Sequence, residues 1–331
     1  MHRLVYVERR TRWFSIEKVF RQIAGDLSGE FQPEFHTLSY GSDLAGVLKN
    51  LITFRKRPAD LYHVTGHVNF ITLLLPRART VLTIHDLHFL HNRGGIRRYV
   101  LKKLFLDLPI RRVKYVTAIS DATRDEIVEH TGRALADIRV IPNPLRDAFV
   151  FTREKLFDRD CPRILQIGTT GNKNIPNLIR ALDGLRCRLV IVGPYDKEVA
   201  DLLVRHHIDV EAKADLDDRE LAAEYEACDL VTFCTTYEGF GLPIIEAQAM
   251  RKPLITSDLS PMREIAGGGA VLVNPHDVAS IRSAVMRVIE DEALRREIVR
   301  IGQINVGRFE PRRVAKMYED VYRAVLTAGH A

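Results

Sequence analysis

Hydrophobic positions along this chain gather into short blocks, and between the blocks they recur at helical spacing. Leu4–Val7, Leu61–Val64, Thr80–Ile84 and Tyr115–Ile119 are blocks of strand length in the first half. Ile16–Ala24, Asp43–Thr53 and Ala122–Glu129 lie between them and carry apolar residues three and four apart, the signature of a helix with one buried face. The second half repeats the alternation. Arg163–Ile167, Arg188–Val192, Leu230–Phe233, Pro253–Thr256 and Ala270–Val273 read as strands. Pro176–Leu182, Asp196–Val204, Arg219–Glu226, Pro243–Ala249, Val278–Ile289 and Glu292–Asn305 read as helices. Strands alternating with helices imply βαβ units, hence parallel sheets with helices on both faces.

The pattern therefore predicts an α/β protein of two Rossmann-like domains, over residues 1–150 and 160–310. The prolines of Val140–Pro144 and the charged stretch Arg153–Pro162 mark the joint. A last helix over 312–331 is expected to pack back on the first domain. Ligands of such sheets gather beyond the carboxyl ends of the strands, so the expected site is the cleft between the two domains.

Composition narrows the class. The 331 residues are 46% hydrophobic and 28% charged, which suits a globular chain rather than a disordered one. The apolar block Phe70–Leu75 is far too short to cross a bilayer. Glu8, Arg9, Arg10 and Arg12 interrupt any signal-peptide core, which predicts a cytoplasmic protein, free or peripheral on the inner face of the cytoplasmic membrane. The four cysteines form no paired spacing, and His63, His67, His85, His88 and His91 have no ligand spacing either, so no metal site is predicted.

Charge is unevenly divided. Residues 1–150 hold 24 basic and 15 acidic residues, a net of +9, and the remainder a net of −3. A basic first half faces something anionic: a phosphorylated acceptor or an anionic membrane surface. No nucleic-acid-binding motif accompanies the charge, so nucleic acid is not an expected partner. Ile96, Val100, Leu104 and Leu108 form an apolar stripe flanked by Arg97, Arg98, Lys102 and Lys103, which fits a helix lying on an anionic bilayer.

Three segments carry chemistry. Tyr237–Ala247 reads as a glycine turn after a strand, followed by a helix with Pro243 in its first turn. Gly239 and Gly241 admit close approach of a ligand, and the free N–H groups near Phe240, Gly241 and Leu242 can receive a phosphate or a sugar hydroxyl. Glu238 can accept hydroxyls at one end of a ligand, and Glu246, eight positions on, can hold a vicinal diol such as a ribose. Ile167–Asn174, with Gly168, Thr169, Lys173 and Asn174, is a second strand-to-helix loop suited to a diphosphate. It lacks the Gly-Lys-Ser/Thr ending of a P-loop. Thr83–Leu87 places His85 at the end of a first-half strand, able to meet a ligand hydroxyl or phosphate.

These segments resemble the retaining GT-B glycosyltransferases of the large fourth family, the glycosyl transferases group 1, which includes bacterial polysaccharide mannosyl- and glucosyltransferases. Glu238 and Glu246 fit its E-x7-E motif, Lys173-Asn174 its Lys-Asn signature, and Thr83–Leu87, Ala118–Ser120 and Ile141–Asn143 its first-domain and hinge landmarks. The resemblance implies a GT-B fold in which Lys173 meets the donor diphosphate, Glu246 the ribose and Glu238 the transferred sugar. Backbone groups of Phe240–Leu242 would touch the phosphate or sugar, and His85 would lie beside the reacting carbon, so His85, Glu238 and Lys173 are the expected catalytic set. Lys213 falls in the segment aligned with the base-contacting loop. Where the family often has arginine, Thr169 and Asn172 stand here.

The expected function is transfer of a hexosyl unit from a nucleotide sugar, GDP-mannose or a UDP-hexose, to a glycan or lipid-linked acceptor in surface polysaccharide synthesis. The expected mechanism needs neither cofactor nor metal. Arg9, Arg10, Arg12, His63 and His67 are the expected acceptor contacts. The alternatives are a nucleotide-sugar epimerase of the same fold and a non-catalytic subunit of glycan assembly.

Overall fold

The computed structural model describes residues 1–10, 15–91 and 95–328. The chain divides into two units, Met1–Pro144 with Glu310–Ala331, and Leu145–Phe309. The second unit thus starts earlier than the proline and charge pattern suggested. Leu145 donates its N–H to the Phe309 carbonyl, and Arg146 is tied to Glu246, both inside the second unit.

The first unit is built on β1 (His2–Glu8), β2 (Phe31–Thr37), β3 (Leu61–Val64), β4 (Thr80–Ile84), β5 (Tyr115–Ala118) and β6 (Ile138–Val140). They form one parallel sheet in the order β2-β1-β3-β4-β5-β6. The second unit holds β7 (Arg163–Ile167), β8 (Arg188–Val192), β9 (Asp209–Lys213), β10 (Leu230–Phe233), β11 (Leu254–Ser257) and β12 (Val271–Val273). These are also parallel, in the order β12-β11-β10-β7-β8-β9.

The inner strands are apolar on both faces because helices cover both. Val5, Val7, Val64, Leu82 and Ile84 form the first core with Phe70, Ile71, Leu106 and Ile110. Ile164, Leu189, Ile191, Leu230 and Ile255 form the second with Leu178, Leu182 and Val285. The apolar block at Phe70–Leu75 belongs to a buried 3-10 turn, Asn69–Leu74. Three strands escape the sequence pattern: β2, β6 and β9. Each lies at the edge of its sheet, with polar residues such as Gln32, Glu34, Arg139 and Glu211 interspersed. Edge strands are covered less, so they lose the continuous apolar run on which recognition depends.

The last helix, Pro311–Ala328, packs on the first sheet. Its inner face carries Tyr318 and Tyr322, both out of contact with solvent. Tyr322 shares a hydrogen bond with Tyr6 at 3.0 Å and another with His63 Nδ1 at 2.8 Å. On the other side of the ring, His63 Nε2 meets the Thr83 hydroxyl at 2.7 Å, which reaches Thr117 at 2.6 Å. His63 is fully buried. It is therefore not an acceptor contact, as its sequence position had suggested: both ring nitrogens are committed to fastening the last helix to β3 and β4.

Burial, with a lesser contribution from His85, pushes the His63 pKa down to about 3. The folded chain thus keeps this ring neutral, whereas the unfolded chain protonates it near its ordinary value of 6.5. Its contribution to stability is complete above the unfolded value and is lost as pH falls from there toward the folded one, at roughly 1.4 kcal/mol per pH unit. The thermal midpoint of the first unit should drop over that acid window. His63→Gln should flatten the slope, as followed by circular dichroism across a pH series.

Candidate active site

In the second unit the chain leaves β7 toward β8 on one side, while its other neighbour, β10, continues toward β11 on the opposite side. Connections that part in this way open a crevice between the carboxyl ends of the two strands. Both loops singled out from the sequence end there, residues 168–174 after β7 and 234–241 after β10.

The two loops are fastened to each other. The Asn172 carbonyl accepts the Thr236 N–H at 2.8 Å and the Thr235 hydroxyl at 2.7 Å, and Asn172 Nδ2 donates to the Tyr237 carbonyl at 2.8 Å. Glu238 Oε1 receives Lys173 Nζ at 2.5 Å, the Thr235 hydroxyl at 2.9 Å and Asn172 Nδ2 at 3.1 Å. The Lys173 and Glu238 side chains are 17% and 15% exposed, so the pair borders solvent without being immersed in it. The Lys173 ammonium also sits 4.7 Å from the centre of the Phe233 ring.

Local sequence explains the shape. Gly168 has φ +81°, and a Cβ there would come within 2.8 Å of the Lys173 side chain. Only glycine lets the lysine fold back over the turn. Gly241 has φ +103° and leads into the helix Leu242–Ala249 with Pro243 in its first turn. The helix Ile175–Leu182 likewise starts with Pro176. Two helix starts with unspent N–H groups and one ammonium make a setting for a diphosphate.

Other expected donor contacts are placed less openly. Asn174 gives its amide to the Cys234 and Pro275 carbonyls at 3.0 and 2.7 Å, so it holds the loop. The Thr169 hydroxyl donates to the Pro194 carbonyl. Lys213 ends β9 and pairs with Glu211 at 2.7 Å and Glu224 at 3.5 Å. Phe240 is buried edge-on against Phe309. Asp217 caps the helix Asp218–Ala227 through the N–H groups of Arg219 and Glu220, and Glu220 returns the bond to Asp217.

Glu246 is 1% exposed. Its Oε1 accepts Arg146 Nη2 at 2.7 Å and Nε at 3.2 Å, and its Oε2 accepts the Tyr225 hydroxyl at 2.8 Å. Arg146 reaches on to Asp218 at 2.5 Å and lies over the Phe149 ring. A carboxylate buried with a guanidinium and a phenol is held in one rotamer. Arg146 and Tyr225 were not singled out from the sequence. Arg146 stands 100 positions from its partner, and no local spacing reports such a contact.

In the first unit β1 connects to β2 on one side while β3 lies on the other, so the crevice falls between β1 and β3. Arg9 follows β1, Gly66 and His67 follow β3, and His85 and Asp86 follow β4. Gly66 and His67 both have positive φ, +64° and +57°. His67 Nε2 is 3.5 Å from Asp86 Oδ2. Burial opposes the charge on Asp86, but hydrogen bonds from His67 and the His88 N–H hold its carboxyl below the usual range. His85 is 5% exposed, and burial, with the nearby His67 and Arg9 adding to it, pushes its pKa down to about 3. Its Nε2 is buried with no partner among the described residues.

The arginines after β1 are less free than their sequence suggested. Arg9 Nε donates to Glu17 Oε1 at 2.9 Å, which spends its charge internally. Arg10 is exposed and donates to the Ser39 carbonyl at 3.2 Å. Arg12 lies outside the described residues. Among the described residues no cluster of three metal-ligating side chains occurs, and no helix is long and apolar enough to cross a membrane.

Two family models match the chain. Residues 150–304 match "Glycosyl transferases group 1", and residues 20–148 match "Glycosyltransferase Family 4". The serotype-specific mannosyltransferase WbdA of Escherichia coli is 25% identical over 80% of this chain and 36% of its own length. The O-antigen chain mannosyltransferase RfbU of Salmonella typhimurium is 26% identical over 66% of this chain and 62% of its own. The chain thus spans less than two thirds of either relative. Among solved structures, Anabaena HepE in complex with UDP and glucose superposes with a TM-score of 0.79 at 17% identity, covering 98% of this chain and all of that one.

Proposed function

Since the chain belongs to the glycosyl transferases group 1 and has the GT-B fold, we propose that it moves a hexosyl unit from a nucleotide sugar to a hydroxyl of a glycan or lipid-linked sugar. The observation that carries this reading is the joined pair of loops at the second unit's switch point, with Lys173 and Glu238 in contact between two helix starts. The mannosyltransferases among the relatives favour mannose, and the UDP bound to HepE favours a UDP-hexose.

In this reading the donor diphosphate takes Lys173 from Glu238 and rests on the N–H groups of the two helix starts. Glu238, released, accepts hydroxyls of the hexose. Glu246 accepts from the ribose alongside Arg146 and Tyr225. The bond between the anomeric carbon and the phosphate oxygen breaks, the acceptor oxygen bonds to that carbon on the same face, and the departing phosphate takes the acceptor proton. Configuration is therefore retained, and no metal is needed because lysine and oriented peptide dipoles meet the growing charge. His85, neutral at physiological pH, serves as a hydrogen-bonding imidazole rather than an imidazolium acid.

The basic first unit brings the protein to its acceptor at an anionic membrane surface. Ile96 and Tyr99 are exposed beside Arg97 and Arg98 on the helix Gly95–Lys102. Leu44, Leu48 and Ile52 are exposed along one side of the helix Leu44–Thr53. Apolar residues at a basic surface suit the boundary between headgroups and acyl chains.

Three measurements follow. Calorimetry against UDP, GDP and ADP should find one nucleotide that binds, with Lys173→Ala weakening it by roughly 1.5–3 kcal/mol, the worth of a charge-assisted hydrogen bond; equal affinity in the variant removes Lys173 from the site. Product NMR from an α-linked donor should show an α-linkage formed equally well with EDTA present. A β-linked product, or activity lost to EDTA and restored by Mg²⁺ or Mn²⁺, contradicts the mechanism. Sedimentation with vesicles should show stronger binding to anionic than to neutral lipid, declining with salt; equally poor binding to both at low salt leaves the charge as solvated surface.

A further inference from the structure

We propose that Glu17 is an acceptor-binding residue of the first unit, and that the acceptor group it holds is an uncharged, hydroxyl-rich sugar ring rather than a phosphate or carboxylate. This rests on the transferase reading above and specifies the acceptor side of it.

Glu17 lies in the first turn of the helix Ser15–Asp26. Phe20, three positions on and so on the same helix face, packs edge-on against the His85 ring at a centroid distance of 5.8 Å. Glu17 is thus joined to His85 through Phe20, one helical turn along. Its carboxylate also borders the Gly66 turn, where a Cβ would stand 3.1 Å from Oε1. It therefore sits at the crevice between β1 and β3, where this sheet order places a ligand.

The carboxylate is 97% withdrawn from solvent but only half satisfied. Glu17 is 3% exposed; Oε1 takes Arg9, and Oε2 is buried with no partner among the described residues. Glu8, the last residue of β1, repeats the arrangement: Oε1 takes Arg21 and Thr37, and Oε2 has no partner. Arg21 is one turn beyond Glu17 on the same helix face. His85 Nε2, after β4, is a third buried atom without a partner at this end of the sheet. A buried polar atom without a partner is costly, and three at one sheet end mark a place where hydroxyl donors would complete the bonding.

The chemistry of these atoms selects the ligand. A carboxylate oxygen lacking a donor wants an O–H or N–H. A neutral imidazole nitrogen pairs with a hydroxyl in either tautomer. Two of the basic groups at this end of the sheet are already paired, Arg9 with Glu17 and Arg21 with Glu8. An anion here would meet the carboxylates of Glu17 and Glu8, whereas a sugar ring offers hydroxyl donors to their open oxygens.

The test is saturation-transfer NMR on the full chain. Methyl α-D-mannopyranoside and methyl α-D-glucopyranoside would be compared with their 6-phosphates, and nucleoside diphosphate affinity and the melting curve would report the fold. A neutral hexoside should bind, the phosphates no better, and Glu17→Gln should weaken hexoside binding about tenfold or more while Glu17→Asp recovers part of it. Should Glu17→Gln fail to fold, Glu8→Gln reads the same pair of carboxylates. Tighter binding of the phosphates overturns the proposal, as does hexoside binding indifferent to Glu17→Gln in a folded protein, or no hexoside binding at all. Sugar-nucleotide hydrolysis separates the two failures. If hydrolysis and nucleotide binding are absent, the transferase reading falls; if they are present and hexosides ignore Glu17, only the present inference falls.

Discussion

Among the described residues all twelve strands run parallel to their neighbours, and this constraint decides where chemistry can happen. Parallel strands cannot be joined by tight hairpins, so every connection crosses the sheet as a longer segment, usually a helix. All carboxyl ends then point the same way, and wherever successive connections part to opposite faces a crevice is left open. Each sheet has one such place. In the second unit it lies between β7 and β10, and the Lys173–Glu238 contact spans it. In the first it lies between β1 and β3, beside Arg9, Gly66 and His67. Neither crevice needs help from the rest of the fold beyond a rigid sheet beneath it, and the apolar cores supply that.

The two crevices solve the problem of buried charge differently. In the second unit Glu246 has a donor on each oxygen, Arg146 on one and Tyr225 on the other, while Glu238 gathers three donors on one oxygen. In the first unit Glu8 and Glu17 keep one oxygen each without a partner. Full satisfaction gives a rigid, preorganised surface, and partial satisfaction gives one that gains from binding. The contrast fits the proposed roles, a donor half with a fixed diphosphate geometry and an acceptor half completed by its ligand.

Much of this was legible in the sequence. The inner strands and most helices announced themselves because burial on both faces demands continuous apolar runs. The E-x7-E and Lys-Asn segments announced themselves because tight turns restrict the residue types they admit. Edge strands β2, β6 and β9 did not, since partial exposure allows polar residues such as Gln32, Arg139 and Glu211 into them. Long-range pairs were also invisible. Nothing beside His63 says that Tyr322 will claim one nitrogen and Thr83 the other, and nothing beside Glu246 says that Arg146 will cover it. A histidine near a strand end looks the same whether it faces a ligand or a tyrosine from the far end of the chain.

The return of the Pro311–Ala328 helix to the first sheet has a consequence for synthesis. Tyr6 and Tyr322 are 316 positions apart, yet share one hydrogen bond. On a ribosome the first strands emerge early, but the helix that seals their sheet emerges only after the whole second unit. The second unit is continuous in sequence and can complete itself while the first is still missing a layer. The first unit is therefore the one that finishes folding later. Until then Tyr6, His63 and Phe31 wait without the tyrosine that will cover them.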